Sequence, residues 1–292
     1  MATVGEIAAA GEIAAGPVIT TGAPVPAANR APLSAPALRS AVVRQGALWR
    51  DVRVVTETGS TNTDLLADAS DGAPEGIVLA AESQTAGRGR LGRRWSSQPL
   101  AALTFSVLLR PGGVPPGRRG WVPLLAGVAV ASALRAGAGV DARLKWPNDV
   151  LVQGAKVAGI LAEQRGDAIV VGTGINTSAR QDEMPAGGAT SLALAGAVRT
   201  DREYLLACVL TELERRYLAW IKAAPPGDAD ASGLRAEYLR LSGTVGRAVR
   251  VSLPGGQVLT GTAQDVDEAG RLVIRTAAGL VTVSAGDVIH LR

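Results

Sequence analysis

Nine residues, Gly87-Arg88-Gly89-Arg90-Leu91-Gly92-Arg93-Arg94-Trp95, limit what this chain can build more than any other segment. They hold four arginines, three glycines and one tryptophan. Glycine leaves the backbone free to wrap around a ligand. Arginine brings a fixed charge and forked donors for carboxylate or phosphate, and tryptophan brings a flat face for stacking. The segment formally satisfies G-x-G-x-x-G after a strand-like run at 77–82. A dinucleotide fold needs an apolar helix next, whose N-terminus holds the pyrophosphate. Arg93-Arg94-Trp95-Ser96-Ser97-Gln98-Pro99 is no such helix. The segment is therefore a cationic loop at a strand end, suited to closing over an anionic nucleotide, with a solvated basic surface loop as the plain alternative.

Lysine is scarce. Of 30 basic residues only Lys145, Lys156 and Lys222 are lysines. Two of them stand in strand-like runs, Arg143-Leu144-Lys145-Trp146-Pro147-Asn148-Asp149-Val150 and Lys156-Val157-Ala158-Gly159-Ile160-Leu161. A chain that uses arginine for general charge has kept a compact ammonium where a planar guanidinium cannot replace it, or has done so by chance. The Pro-Asn-Asp turn ends one strand and aims a carboxylate at its end.

Composition narrows the classes. The chain has 292 residues, enough for about two domains. It is 47% hydrophobic and 3% aromatic, so its core is built from Ala, Val and Leu. The net charge of +4 is concentrated in the one loop, which an anionic small ligand explains better than nucleic acid. With one cysteine, Cys208, and one histidine, His290, neither a disulfide nor a Cys/His zinc site is expected, and no hydrolase pair is supported. Cys208 lies in an apolar helical pattern and reads as core. No basic residue precedes Arg30, so no secretory signal is expected. No run of eighteen apolar residues exists, so no membrane span is expected and the location is cytoplasmic.

The expected organisation has three parts. Residues 1–35, rich in Ala, Gly and Pro, read as a disordered tail. Residues 36–230 carry strand and helix patterns, with helices at 36–45, 63–69, 121–134 and 201–220. Thr200 and Glu203 are spaced as a capping box for the last of these. Residues 225–230 read as a linker. Residues 231–292 hold a short helix and then about five short strands with glycine turns, the pattern of a small barrel. Ser60-Thr61-Asn62 precedes a helix, where such residues are caps, holders of a small polar head group, or both.

Residues 87–95, Lys145 to Asp149, Lys156 to Leu161 and Gly172-Thr173-Gly174-Ile175-Asn176 together resemble the biotin protein ligase family in order and spacing. Ser60-Thr61-Asn62 and Gln84 fall where that family keeps its biotin-pocket polar residues. The resemblance covers roughly residues 52–292. It implies an α+β fold, a mixed and largely antiparallel sheet flanked by helices as in class II synthetases, with a C-terminal SH3-like β-barrel. It implies activation of biotin by ATP and Mg²⁺ to biotinyl-5′-AMP, then transfer to a lysine of a biotin carboxyl carrier protein domain. The winged helix that lets some members repress genes is not expected in the residues before the catalytic pattern.

The resemblance also implies roles. Ser60, Thr61, Asn62, Gln84, Arg88, Gly89, Arg90, Lys156 and Gly159 would bind biotin. Arg93, Trp95, Lys145, Asn148, Asp149, Lys156 and Asn176 would bind ATP, with Trp95 on the adenine and Lys156 between the biotin carboxylate and the phosphate. Lys156, Arg90 and Asp149 would be catalytic, Asp149 orienting the acceptor amine or taking its proton. No metal site formed by protein ligands alone is expected. A lipoate ligase shares the fold, but lipoate has no ureido group to engage Ser60-Thr61-Asn62 and Gln84. A nucleic-acid module would interleave aromatics with its basic residues, and this loop has one. Neither a nucleic-acid nor a membrane partner is expected.

Overall fold

The computed structural model describes residues 30–185 and 187–291. Most of the tail read at 1–35 lies outside the described residues. Its last part does not behave as a tail. Arg30 donates to the Ser178 carbonyl (2.9 Å) and pairs with Glu183 (2.6 Å), and the Leu33 amide donates to Glu82 (2.5 Å). Residues 30–34 thus bind the body of the fold, through backbone groups and one arginine that carry no sequence periodicity.

Helix α1 (Ala35–Val42) is followed by β1 (Asp51–Thr58), α2 (Thr61–Ser70), β2 (Ile77–Gln84), β3 (Ala102–Leu109) and α3 (Trp121–Gly137). Next come β4 (Ala142–Lys145), β5 (Asp149–Val152), β6 (Ala155–Arg165), β7 (Ala168–Asn176), α4 (Arg202–Ile221) and α5 (Leu234–Leu241). The last strands are β8 (Ala248–Ser252), β9 (Val258–Val266), β10 (Leu272–Thr276), β11 (Gly279–Val283) and β12 (Asp287–His290). The first seven strands make one sheet in the order β1-β2-β3-β7-β6-β5-β4, parallel only between β1 and β2. This is the mixed, largely antiparallel sheet expected. The other five make an antiparallel sheet, β11-β10-β9-β8-β12.

Strand β3 is buried along its whole length, and its apolar run reads accordingly. Helix α3 is apolar all round because it is enclosed by the sheet, α4 and α5. The stretch Pro116–Gly137, which contains α3, is long and apolar enough to cross a membrane, yet most of α3 is buried at the centre of the core. Helix α4 is capped by Asp201, whose side chain accepts from the Tyr204 amide (2.7 Å). The Thr200–Glu203 box is not formed, because Glu203 accepts from the Ser34 amide instead (2.8 Å).

The boundary at 230/231 divides the fold unevenly. Helix α5 buries Leu234, Tyr238 and Leu241, with Tyr238 edge-on to Trp121 at 5.9 Å. It packs on α3 and β4, and Arg235 ties it to Val266 of β9, so it touches both sheets. Residues 225–230 form a packed turn, with the Gly227 amide on the Trp220 carbonyl (2.9 Å) and Ala229 buried. Indole donors then join the two sheets: Trp121 to the carbonyls of Asp267 and Glu268, and Trp146 to Gly270.

Candidate active site

A cavity of about 350 Å³ opens over the large sheet. Strand register explains its floor. Thr104 pairs with Gly174, Gly174 with Gly159, Gly159 with Asp149, and Asp149 with Lys145, one row across five strands. Residues in one row point to the same face. Two glycines at its centre leave a depression, and Asp149 and Lys145 stand at one end. Lys156 is three residues from Gly159 and by simple alternation would face the other way. The register shift between Val150 and Leu151, opposite Val157, is a bulge that turns Lys156 back onto the cavity face. Its ammonium lies 2.6 Å from an Asp149 oxygen. That contact is a charge pair without hydrogen-bond geometry at the oxygen.

Parallel pairing of β1 and β2 sets Thr58 beside Gln84 and builds the opposite end. Ser60 is the N-cap of α2, yet its side chain makes no capping bond. The cap is supplied by Gln84, whose Oε1 accepts from the Thr61 amide (2.8 Å). Behind them, Ser106 donates to Asn62 (2.6 Å), and Asn62 donates to Glu163 (2.9 Å) and the Leu161 carbonyl (3.2 Å). Gly172 makes room for this, since a Cβ there would stand 2.2 Å from Asn62 Oδ1.

The arginine loop folds over the cavity as a small hairpin bridged between Arg88 and Arg94. Arg88 pairs with Glu163 (3.0 Å), Arg90 donates to Asn148 (3.2 Å) and Arg93 pairs with Asp287 (2.5 Å). Burial presses the Arg90 guanidinium below its ordinary value, with Arg93 adding to this and Asp287 and Asp149 opposing. Trp95 drops onto the glycine floor with its indole N–H buried and unpartnered, a donor that costs about 1–3 kcal/mol until an acceptor meets it.

Ser60, Thr61, Asn62, Gln84, Arg88, Gly89, Arg90, Arg93, Trp95, Lys145, Asn148, Asp149, Lys156 and Gly159 all line the cavity. Asn176 does not. Its amide donates to the Thr190 carbonyl (3.0 Å), and Thr190 in turn bonds the Lys156 backbone (2.8 Å), so Asn176 props the segment that holds Lys156. Asp287, Val288 and Ile289 of the small sheet also line the cavity, and sequence reasoning missed them because they come from far along the chain. Thr104 and Ser106 had a legible signal, two polar residues two apart in an otherwise apolar strand. Among the described residues no cluster of three acidic, histidine or cysteine groups is placed to hold a metal. His290 is not without a partner, for its Nε2 lies 3.0 Å from Thr244 Oγ1.

Residues 54–176 match the biotin/lipoate A/B protein ligase family, and residues 244–291 match the biotin protein ligase C-terminal domain. The biotin--[acetyl-CoA-carboxylase] ligase of Mycobacterium tuberculosis is 45% identical over 267 residues, 90% of this chain and 97% of that protein. The bifunctional ligase/repressor BirA of Escherichia coli is 33% identical over 252 residues, 82% of this chain and 74% of that protein. The biotin protein ligase of Aquifex aeolicus, solved in complex with biotin and ATP, superposes with a TM-score of 0.69 at 30% identity, covering 84% of this chain and all of that one. Sequence, fold and both matched segments agree: the chain belongs to the biotin protein ligase family.

Proposed function

We propose that this protein activates biotin with ATP and transfers it to a lysine of an acetyl-CoA carboxylase, on its biotin carboxyl carrier domain. One observation carries the reading: a single cavity has a cluster of polar side chains, Ser60, Thr61, Asn62 and Gln84, at one end and Lys145, Lys156 and Arg90 at the other. Ser60, Thr61 and Gln84 suit the ureido head of biotin. Lipoate offers that end nothing to bond, and no observation favours it.

A carboxylic acid does not acylate an amine directly, because hydroxide is a poor leaving group. In the first step a biotin carboxylate oxygen attacks the α-phosphorus of ATP and pyrophosphate leaves. Lys156 stands where it can neutralise both the carboxylate and the phosphate, Arg90 and Lys145 add charge, and Trp95 offers its face to the adenine. In the second step the acceptor amine attacks the acyl carbon and AMP leaves, with Asp149 placed to orient the amine or accept its proton. Asp149 and Asn148 would offer oxygens to Mg²⁺ held mainly by the triphosphate, where the ion would neutralise charge. The proposed setting is the cytoplasm. Incubation with ATP, Mg²⁺, radiolabelled biotin and a purified carrier domain tests the reading. Label on the carrier's lysine is expected, and label from lipoate but not biotin would overturn it.

A further inference from the structure

Beneath the polar end of the cavity, counting hydrogens assigns the direction of the hydrogen bonds from Glu163 to Ser106. Glu163 Oε2 and the Leu161 carbonyl carry none, and both face the Asn62 side chain (2.9 and 3.2 Å). The Asn62 NH₂ must therefore point at them and its oxygen must point at Ser106. Ser106 has one hydroxyl hydrogen and commits it to that oxygen (2.6 Å). Thr61 also has one, with two acceptors in reach: Ser106 Oγ at 2.7 Å and Gln84 Oε1 at 3.0 Å. Either choice keeps the hydrogen inside the network. Gln84 Oε1 accepts from the Thr61 amide and faces the Thr61 hydroxyl, so the NH₂ is the part of Gln84 turned away from this network and offered to a ligand.

We propose that Glu163 and Ser106, neither of which lines the cavity, are positioning residues that fix the hydrogen-bond polarity of its polar end, so that Thr61 can only accept from a ligand and Gln84 can only donate to it. The inference rests on the biotin reading and deepens it. A wall of one acceptor beside one donor fits a ligand edge with N–H next to C=O, as in a cyclic urea, and rejects an edge of two acceptors. The hydrogen-free carboxylate of Glu163, the nearer of the two acceptors that face Asn62, sets the direction together with the Leu161 carbonyl. Its other oxygen holds Arg88 of the loop at 3.0 Å, so the same side chain ties the loop to head-group recognition. Substituting Gln at 163 supplies an NH₂ that lets Asn62 turn over, so that Ser106 donates to Thr61 and the Thr61 hydrogen is shared between Gln84 Oε1 and a ligand. Substituting Ala at 106 removes the acceptor that Thr61 faces most closely.

The test measures adenylation of biotin and of biotin analogues whose ring N–H groups are replaced in turn by oxygen. The ratio of the two kcat/KM values within one protein cancels differences in folded fraction. Wild type is expected to prefer biotin over the analogue that sets its oxygen against Thr61 by about tenfold or more. Glu163→Gln and Ser106→Ala are each expected to cut that preference at least threefold, with KM for biotin raised and KM for ATP unchanged after Ser106→Ala. Glu163→Asp, which keeps a hydrogen-free carboxylate, should restore part of the preference. If both Gln at 163 and Ala at 106 lower the two substrates by one common factor, the residues support the wall without setting its polarity and the inference falls alone. If wild type activates neither compound, the functional reading falls and takes the inference with it.

Discussion

Gly174 and Trp95 touch in a way that no side chain at 174 would allow: a Cβ there would stand 2.2 Å from Cε2 of the indole. The neighbouring row position repeats the constraint, since a Cβ at Gly159 would meet the same ring at 3.3 Å. The glycines of Gly172-Thr173-Gly174 are therefore a floor for an aromatic ring and for Asn62, rather than a phosphate-binding turn. Gly174→Ala should push the indole off the floor. We expect KM for ATP to rise about three- to tenfold, the range of an aromatic contact, with binding of biotin alone nearly unchanged. A red-shifted tryptophan emission would report the displaced ring, and an unchanged KM for ATP would contradict the placement.

Lys156 reaches the cavity only through a bulge and meets Asp149 there. Lys156→Ala should reduce biotin-dependent pyrophosphate release by roughly a hundred- to a thousandfold, the loss seen when one charge-stabilising donor is removed from a reaction centre. Lys156→Arg should also fail badly, because the guanidinium is wider and planar. A melting curve close to wild type would show that the fold survives. Near-normal adenylation by the arginine variant would remove Lys156 from the first step.

How much of this was legible in the sequence varies with the range of the interactions. The strands around the site follow from local apolar runs, and Lys145, Asp149 and Lys156 were marked by residue type within one short stretch of chain. Glu82 was not. It reads as the end of a buried strand, yet it pairs with Arg202 and accepts from the Leu33 amide, and those partners lie far away along the chain. The contacts of residues 30–34 with the body of the fold rest on the same kind of long-range bond. Glu163 sits within an amphipathic strand and reads as a solvated charge until Arg88 and Asn62 are brought to it. Asn176 erred in the other direction, because it follows a glycine pattern but turns its amide away to Thr190.

The histidine gives a dependence on pH. His290 Nε2 faces the Thr244 hydroxyl, and Thr244 Oγ1 in turn accepts from the Trp146 amide at the floor of the junction (3.1 Å). Burial, with Lys145 and then Arg247 nearby, holds the imidazole below its ordinary value. A folded value lower than the unfolded one means that the native state prefers the neutral ring. That stabilisation is complete above about pH 6.5, the reference value for histidine, and is lost as the pH falls through the folded value. The melting temperature of wild type should decline below about pH 6.5 more steeply than that of His290→Gln. Parallel curves for the two proteins would show that the ring does not contribute.

The loop itself gives the last prediction. Three of its arginines reach three different places: Arg88 strand β6 at Glu163, Arg90 the turn at Asn148, and Arg93 the small sheet at Asp287, while Arg94 bonds back to the Thr85 carbonyl (2.8 Å). The arginines of the Arg88 and Arg93 pairs are largely exposed, and surface pairs contribute only about 0–1 kcal/mol each. Ordering a loop residue costs roughly 1–2 kcal/mol, so these contacts alone hold the lid weakly. An anionic adenylate beneath it would add charge-assisted bonds, and Arg90 is the most deeply placed of the three to make one. Trypsin should therefore cut at Arg88 to Arg94 in the free protein and be blocked when biotin and ATP are both present. Arg90→Gly should keep forming the adenylate but hold it less well, so that reactive biotinyl-AMP escapes and labels lysines of a bystander such as serum albumin. Equal cleavage with and without the two substrates, together with no bystander labelling by the variant, would mean that this loop does not retain the intermediate.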